Sequence, residues 1–442
     1  VIWQLGGYAL NQLIRLASSL ILTRLLAPDI YGVMSVGYMT ITALTMLSDV
    51  GLMAIAIQSK DGEDPRFLNT VWMVQLLRGA LITVLAAAAA GAMAYFGRDM
   101  LPAGSVYTDA RVPAVILVVS LYGVVTGLES TNVYLARRHL QEATLTKIDL
   151  VCQIFIALVV IGIALFSPSV WALATGWVAG AVLKTTLTHR LLPGPRNRLE
   201  WDRAALLQIL HFGKWVILSS TLSFMLTSGD RILLGFFLDA PSMGHYATAM
   251  VLFGAVQAAV LKVVGHAVLP ALSEVNRSNP SLLKATLYKL RLPIDAVCLF
   301  TAGALVFLGQ GIVGVLYDPR YQPAGWMLSA IGMVLMATRL DVFDQCLIAQ
   351  GKTRLLSALN GLRMLVLYAA IPTGFALRGP EGAVLAVAGS AVINSLIVLS
   401  IQAHKGLLDM RRELLAVPLF AAGLAAGWLG QQALLTLRHL WQ

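Results

Sequence analysis

His189-Arg190-Leu191-Leu192-Pro193-Gly194-Pro195-Arg196-Asn197-Arg198 is the most polar internal stretch of this 442-residue chain. Turn-forming Pro-Gly-Pro is set among cations and flanked by long apolar runs, so the stretch reads as a joint. A membrane span needs about 20 apolar residues to cross roughly 30 Å of hydrocarbon. Thirteen stretches qualify, near 3–24, 31–57, 67–96, 112–135, 144–166, 169–188, 206–233, 242–270, 287–309, 322–348, 354–376, 381–402 and 413–437. Six precede the joint and six follow it before the last is reached. No strand-like alternation persists, which argues against a β-barrel. The expectation is an all-α polytopic membrane protein. Its N-lobe would be 1–188, its inter-lobe linker 189–205, its C-lobe 206–404, with an extra helix in 405–442.

Composition agrees. Hydrophobic residues are 58% of the chain and charged residues 12%, against roughly 45–50% and 25% in soluble domains. The formal charge of +10 comes mostly from residues flanking apolar runs, with no basic stripe to track a nucleic acid. One set of alternate loops carries eighteen Lys and Arg, from Lys60 to Arg412. The other carries five, Arg24, Arg98, Arg111, Arg320 and Arg378. Under the positive-inside rule this places the N-terminus in the cytoplasm. Lobes of even span number enter from one side, so the repeat is parallel, with two lobes facing a central cavity. A short echo supports it: Thr23-Arg24-Leu25-Leu26 then Tyr31-Gly32, against Asp230-Arg231-Ile232-Leu233 then Gly244-His245-Tyr246.

Leu22-Thr23-Arg24-Leu25-Leu26-Ala27-Pro28, Ser48-Asp49-Val50-Gly51-Leu52, Asp64 to Thr70, and Gln75-Leu76-Leu77-Arg78-Gly79 resemble the first lobe of Wzx-type polysaccharide transporters. Phe212-Gly213-Lys214-Trp215, Gly229-Asp230-Arg231 and Arg320 to Trp326 resemble their second lobe. The resemblance covers the whole chain and implies a two-lobed bundle of the multidrug/oligosaccharidyl-lipid/polysaccharide (MOP) exporter superfamily. It implies a flippase of the bacterial inner membrane that carries undecaprenyl-pyrophosphate-linked oligosaccharide to the periplasmic leaflet for a surface polysaccharide. Its expected partners are that lipid-linked substrate, membrane lipids, and the polymerase and glycosyltransferases of the same pathway, with the protein a monomer. A drug/cation antiporter of the same superfamily and a membrane-bound glycan polymerase or ligase are the alternatives.

Other chemistry finds little footing. Gly351-Lys352-Thr353 lacks the leading glycine of a P-loop, since Cys346 stands there. The seven histidines form no H-x-x-x-H pair, and three scattered cysteines make neither a disulfide framework nor a metal site. No cofactor is expected, and coupling to H+ or Na+ is left open. Gly176…Gly180 and Gly423…Gly427 read as close helix packing.

Ionisable residues inside spans are costly and therefore informative. Arg15 lies near mid-membrane, with Asn11, Ser18 and Ser19 on its face and no acid in its span. A guanidinium there suits bidentate recognition of pyrophosphate. Arg15, Lys262, Arg339, Arg363, Lys214 and Arg231 are the expected substrate contacts. Asp49, Arg78, Asp295, Asp341 and Asp344 are the expected gating or ion-coupling residues. Arg339 is expected to have no partner at its depth. Asp344 and Arg363 sit equally far from the turn near Thr353 and should pair, as should Asp49 and Arg78 about Gly62. The repeat alternatively sets Asp49 opposite Lys262 as a gate.

Overall fold

The computed structural model describes the backbone of residues 2–441, with side chains placed except at 2–5, 8, 98, 263, 266, 435 and 437–441. Arg98, His266 and His439 therefore lie outside the described side chains. The described backbone contains no strand.

In chain order the helices are α1 (Ile2–Leu25), α2 (Pro28–Leu47), α3 (Leu52–Gln58), α4 (Pro65–Met100), α5 (Val112–Gly127), α6 (Asn132–Arg138), α7 (Glu142–Phe166), α8 (Val170–Leu191) and α9 (Arg203–Phe237). There follow α10 (Ala240–Val263), α11 (Leu269–Ser278), α12 (Leu283–Leu316), α13 (Ala324–Gly332), α14 (Leu335–Thr338), α15 (Asp341–Ala349), α16 (Thr353–His404), α17 (Met410–Leu414) and α18 (Ala416–Trp441). Ten stretches among the described residues are long and apolar enough to span a membrane, and the bent pair α5–α6 makes eleven. This is a multi-pass membrane protein.

The 52 residues of α16 would reach roughly 78 Å if straight, far beyond a bilayer core. The chain instead folds back at Arg378 and Gly379, where Gly379 takes φ +62 and Pro380 follows. Gly374 and Gly382 then lie so close that a Cβ on either would strike the other's carbonyl. These are the two expected spans 354–376 and 381–402, folded as a hairpin.

Three expected spans are interrupted, 322–348 among them as the successive helices α13, α14 and α15. The stretch 31–57 divides at Ser48–Gly51, where Gly51 adopts φ +67 and Asp49 accepts its N–H at 3.0 Å. The stretch 112–135 bends by 64° between α5 and α6. In 242–270, α10 widens into a π turn at Val264–Val268. Pro270 follows, and a proline ring cannot sit against the carbonyl four residues earlier in a regular helix.

Two compact units result. The first comprises Val1–Ser228 with Leu238–Gly244, the second Gly229–Phe237 with His245–Gln442. The polar joint is laid down on the first unit. Asn197 donates to Thr131 Oγ1 at 2.6 Å, the Arg198 N–H reaches Asn69 at 3.0 Å, and the Asp202 N–H reaches Thr70 at 2.9 Å. Asp202 then caps α9 through the Ala204 N–H at 2.7 Å. Ala205 and Ile209 of α9 join Leu52, Ile55, Phe67 and Val71 in one apolar cluster. Gly32 and Gly244, alike in the repeated motif, sit against the carbonyls of Ala240 and Pro28 respectively. Neither leaves room for a Cβ.

In the second unit α18 packs along α12. Gly423 lies on the Phe300 carbonyl and Gly427 on that of Ala304, while Gly176 and Gly180 of the first unit face Val160 and Ile156. Both small-residue pairs serve helix packing within the chain.

Candidate functional site

The bend between α5 and α6 strands backbone carbonyls that a continuous helix would satisfy. Gln75 of α4 meets them, its Nε2 lying 3.1, 3.0 and 2.9 Å from the carbonyls of Thr126, Gly127 and Glu129. The Tyr134 hydroxyl donates to Gln75 Oε1 at 2.7 Å, and His189 donates to the Leu128 carbonyl at 2.8 Å. Gly79 of α4 and Gly123 of α5 let the two backbones approach this closely. The bend thereby fixes Glu129 within an otherwise apolar bundle.

Glu129 faces a pocket of about 210 Å³ lined from α1, α5, α7 and α8. Lys184 lies 3.3 Å from Asp149 and 3.9 Å from Glu129. Glu129 Oε1 is shielded from solvent and accepts no hydrogen bond. Trp177 stacks on Tyr122 with ring centroids 4.5 Å apart and tilts against Tyr38 at 5.2 Å. The hydroxyls of Thr126 and Thr185 are spent on the carbonyls of Tyr122 and Val125. The side-chain amides of Asn11 and Gln153 make no hydrogen bond among the described residues.

Arg15 lies one turn beyond Asn11 on the same face of α1, nearly opposite the exposed stripe of Leu10, Leu13 and Ile21. Its guanidinium has no partner among the described residues. Ser18 donates only to the Arg15 carbonyl, at 3.0 Å. The expectation of an unpaired cation on a polar face of α1 agrees with this geometry.

Arg339 corrects its expectation. It reaches Asp295 at 3.3 Å and Glu413 at 3.3 Å, while Arg291 holds the same two acids at 3.0 and 2.7 Å. Tyr288 adds a hydrogen bond to Glu413 at 2.9 Å. Two cations answer two anions, with every member's side chain at most 10% exposed. Arg291 stands among the loop cations in the sequence reading and Glu413 among no candidates, because their partners are 122 residues apart. Asp295 and Arg339 are tied into this lock, which joins α12 and α17, so neither has a charge left over.

The pair Asp344–Arg363 is present, bidentate at 2.6 and 3.1 Å, and Asn360 also accepts from Arg363 at 3.1 Å. Arg363 is thus held by protein groups. Asp49 lies 3.8 Å from Arg78 and accepts from Ser220 at 3.1 Å, while Arg78 donates to Ser48 and to the Thr45 carbonyl. These contacts pin the break after α2. Asp230 accepts from Tyr246 at 2.6 Å across the α9–α10 turn. Its neighbour Arg231 is half-buried with Nε unsatisfied. Lys214 is exposed beside the Trp215 ring, and Lys262 is half-buried in the last turn of α10. Asp341, in the first turn of α15, makes no hydrogen bond or close ion pair among the described residues and lies in the field of Asp344 and Arg363. Lys184 was missed as a candidate: it stands near the end of its apolar run, and the acids it meets come from α5–α6 and α7.

Outside the spans, Arg111 holds Asp109 at 2.8 Å and Asp29 at 2.7 Å. The hydrogen bond from Arg111 lowers the Asp109 carboxyl below its usual range. Among the described residues no group of three or more His, Cys, Asp or Glu could hold a metal ion.

No curated protein matches the sequence. Residues 21–324 match the family described as "Polysaccharide biosynthesis protein". Among solved structures, the lipid II flippase MurJ in an inward closed conformation aligns with a TM-score of 0.70 at 13% identity, covering 100% of this chain and 99% of that one. An inward-facing multidrug resistance MATE family transporter of the MOP superfamily aligns with a TM-score of 0.67 at 12% identity, covering 92% and 95%. A MOP superfamily transporter from Pyrococcus furiosus aligns at 0.53 with 13% identity, covering 95% and 94%. The fold is that of the MOP superfamily.

Proposed function

The chain belongs to the polysaccharide biosynthesis protein family, and from that premise we propose that it flips an undecaprenyl-pyrophosphate-linked oligosaccharide from the cytoplasmic to the periplasmic leaflet by alternating access. The membrane is the bacterial inner membrane, the N-terminus is cytoplasmic, and the product feeds a cell-surface polysaccharide. The single observation that carries this reading is Arg15, an exposed, unspent guanidinium on the polar face of α1, nearly opposite the stripe of Leu10, Leu13 and Ile21. An isolated cation within a membrane span is costly unless an anion or water meets it. A diphosphate accepts the guanidinium fork through paired charge-assisted hydrogen bonds. Arg339 and Arg363 act through structural pairs within the second unit.

A drug/cation antiporter would need a free anionic site, whereas the acids of the first-unit pocket, Glu129 and Asp149, already flank Lys184 and Arg15 adds a further cation on α1. The protein is read as a transporter acting without a cofactor, with the glycosyltransferases and polymerase of its pathway as neighbours. Purified protein in liposomes carrying fluorescent undecaprenyl-pyrophosphate oligosaccharide should move the label between leaflets. Uptake of organic cations with no movement of the lipid would contradict the reading.

A further inference from the structure

We propose that the pocket between α1, α5, α7 and α8 holds a single neutral sugar ring, the one attached directly to the pyrophosphate of the flipped lipid. This rests on the flippase reading and adds a second contact to it. Size sets the first limit: about 210 Å³ is smaller than the roughly 300–1,000 Å³ of sites for drug-sized ligands, so one ring fits and an oligosaccharide does not. Charge sets the second. Glu129 and Asp149 outnumber Lys184, which disfavours a phosphate or a uronate. The Lys184 ammonium already sits between the carboxylates, which disfavours a bare cation.

The remaining lining suits a polyhydroxy ring. The stacked Tyr122 and Trp177 give an apolar wall for a sugar's C–H face. Asn11 and Gln153 offer amides with no partner among the described residues. A sugar hydroxyl can both accept from and donate to such an amide. Position completes the case. Asn11 lines the pocket, and Arg15 follows one turn on, about 6 Å along the axis. A sugar joined directly to a phosphate held by Arg15 lies within that distance.

The test uses the full chain in lipid nanodiscs and two probes, undecaprenyl pyrophosphate with and without one N-acetylglucosamine. The sugar-bearing lipid should bind at least tenfold more tightly. Gln153→Ala and Trp177→Phe should each erase most of that advantage while leaving the sugar-free lipid unchanged, with melting temperatures near wild type. Arg15→Gln should weaken both lipids alike. Saturation-transfer NMR should show glucose contacting aromatic protons and glucuronate doing so several-fold less.

Equal affinity of the wild type for both lipids overturns the proposal, as does a sugar advantage that survives both pocket variants. Glucuronate binding as well as glucose overturns the neutral-ring assignment. Pocket-dependent sugar binding in a protein that moves no lipid in liposomes leaves the pocket standing and removes the flippase reading instead.

Discussion

In the second unit Arg291, Arg339, Asp295 and Glu413 answer one another charge for charge, whereas in the first Lys184 faces two carboxylates across a pocket and Arg15 faces none. Both arrangements place ionisable groups within apolar bundles, where unsatisfied charge is expensive. The closed set balances its charge internally, although Arg291 Nη1 and Arg339 Nε are buried without an acceptor among the described residues. The open set leaves a guanidinium and two amides unspent. Burial and the count of partners differ together: the closed set is at most 10% exposed, whereas Lys184, Asp149 and Arg15 are far more open.

The comparison is sharpest where a charge is removed. Glu413→Gln leaves two buried arginines with one acid between them, and breaking a buried pair typically costs about 3–5 kcal/mol. A steep fall in melting temperature is expected, with transport lost in proportion. If Glu413→Gln melts like the wild type, the lock between α12 and α17 carries no weight.

A smaller effect is expected at Asp344–Arg363. Either Asp344→Asn or Arg363→Gln should destabilise by about 1–3 kcal/mol, as for a hydrogen bond to a charged group. The double variant should recover part of the loss, because no charge is then orphaned. Additive losses in a double-mutant cycle would deny the coupling.

Smaller again is Asp109, whose carboxyl Arg111 holds below the usual range. A lowered folded-state pKa gives stability that is present above the ordinary carboxylate value of about 3.9 and is lost as pH falls through the lower one. The pair is partly exposed, so the effect at neutral pH should stay under about 1 kcal/mol. Asp109→Asn should flatten the acid side of the stability profile, as read by thermal melts between pH 3 and 7. An unchanged acid limb would remove the pair from the account.

Much of the helical frame is legible in the sequence. Arg378-Gly379-Pro380 separates two apolar runs, and the chain turns there because only glycine takes that positive φ freely. Asp344 and Arg363 are legible as partners because they flank one turn at equal depth. Glu413 is not, since it meets Arg339 across 74 residues and the repeat does not include the last helix. The bend at Leu128–Thr131 is hidden for another reason. The run 112–135 is apolar enough to look continuous, and the Gln75 amide that tolerates the break lies on a different helix. Lys184 was overlooked along with it, because its role depends on where that bend delivers Glu129.

Arg15 remains as the charge whose removal strands nothing. The direct measurement is the flipping rate of Arg15→Gln in liposomes alongside its melting temperature, with Arg15→Lys as the charge-conserving companion. The account predicts melting temperatures within about 2 °C of wild type, since an unpaired residue contributes little stability. It predicts a transport rate reduced about tenfold or more for Gln and less for Lys, which keeps the charge but loses the fork. Full transport by Arg15→Gln, or a melting temperature that falls in step with transport, would contradict it.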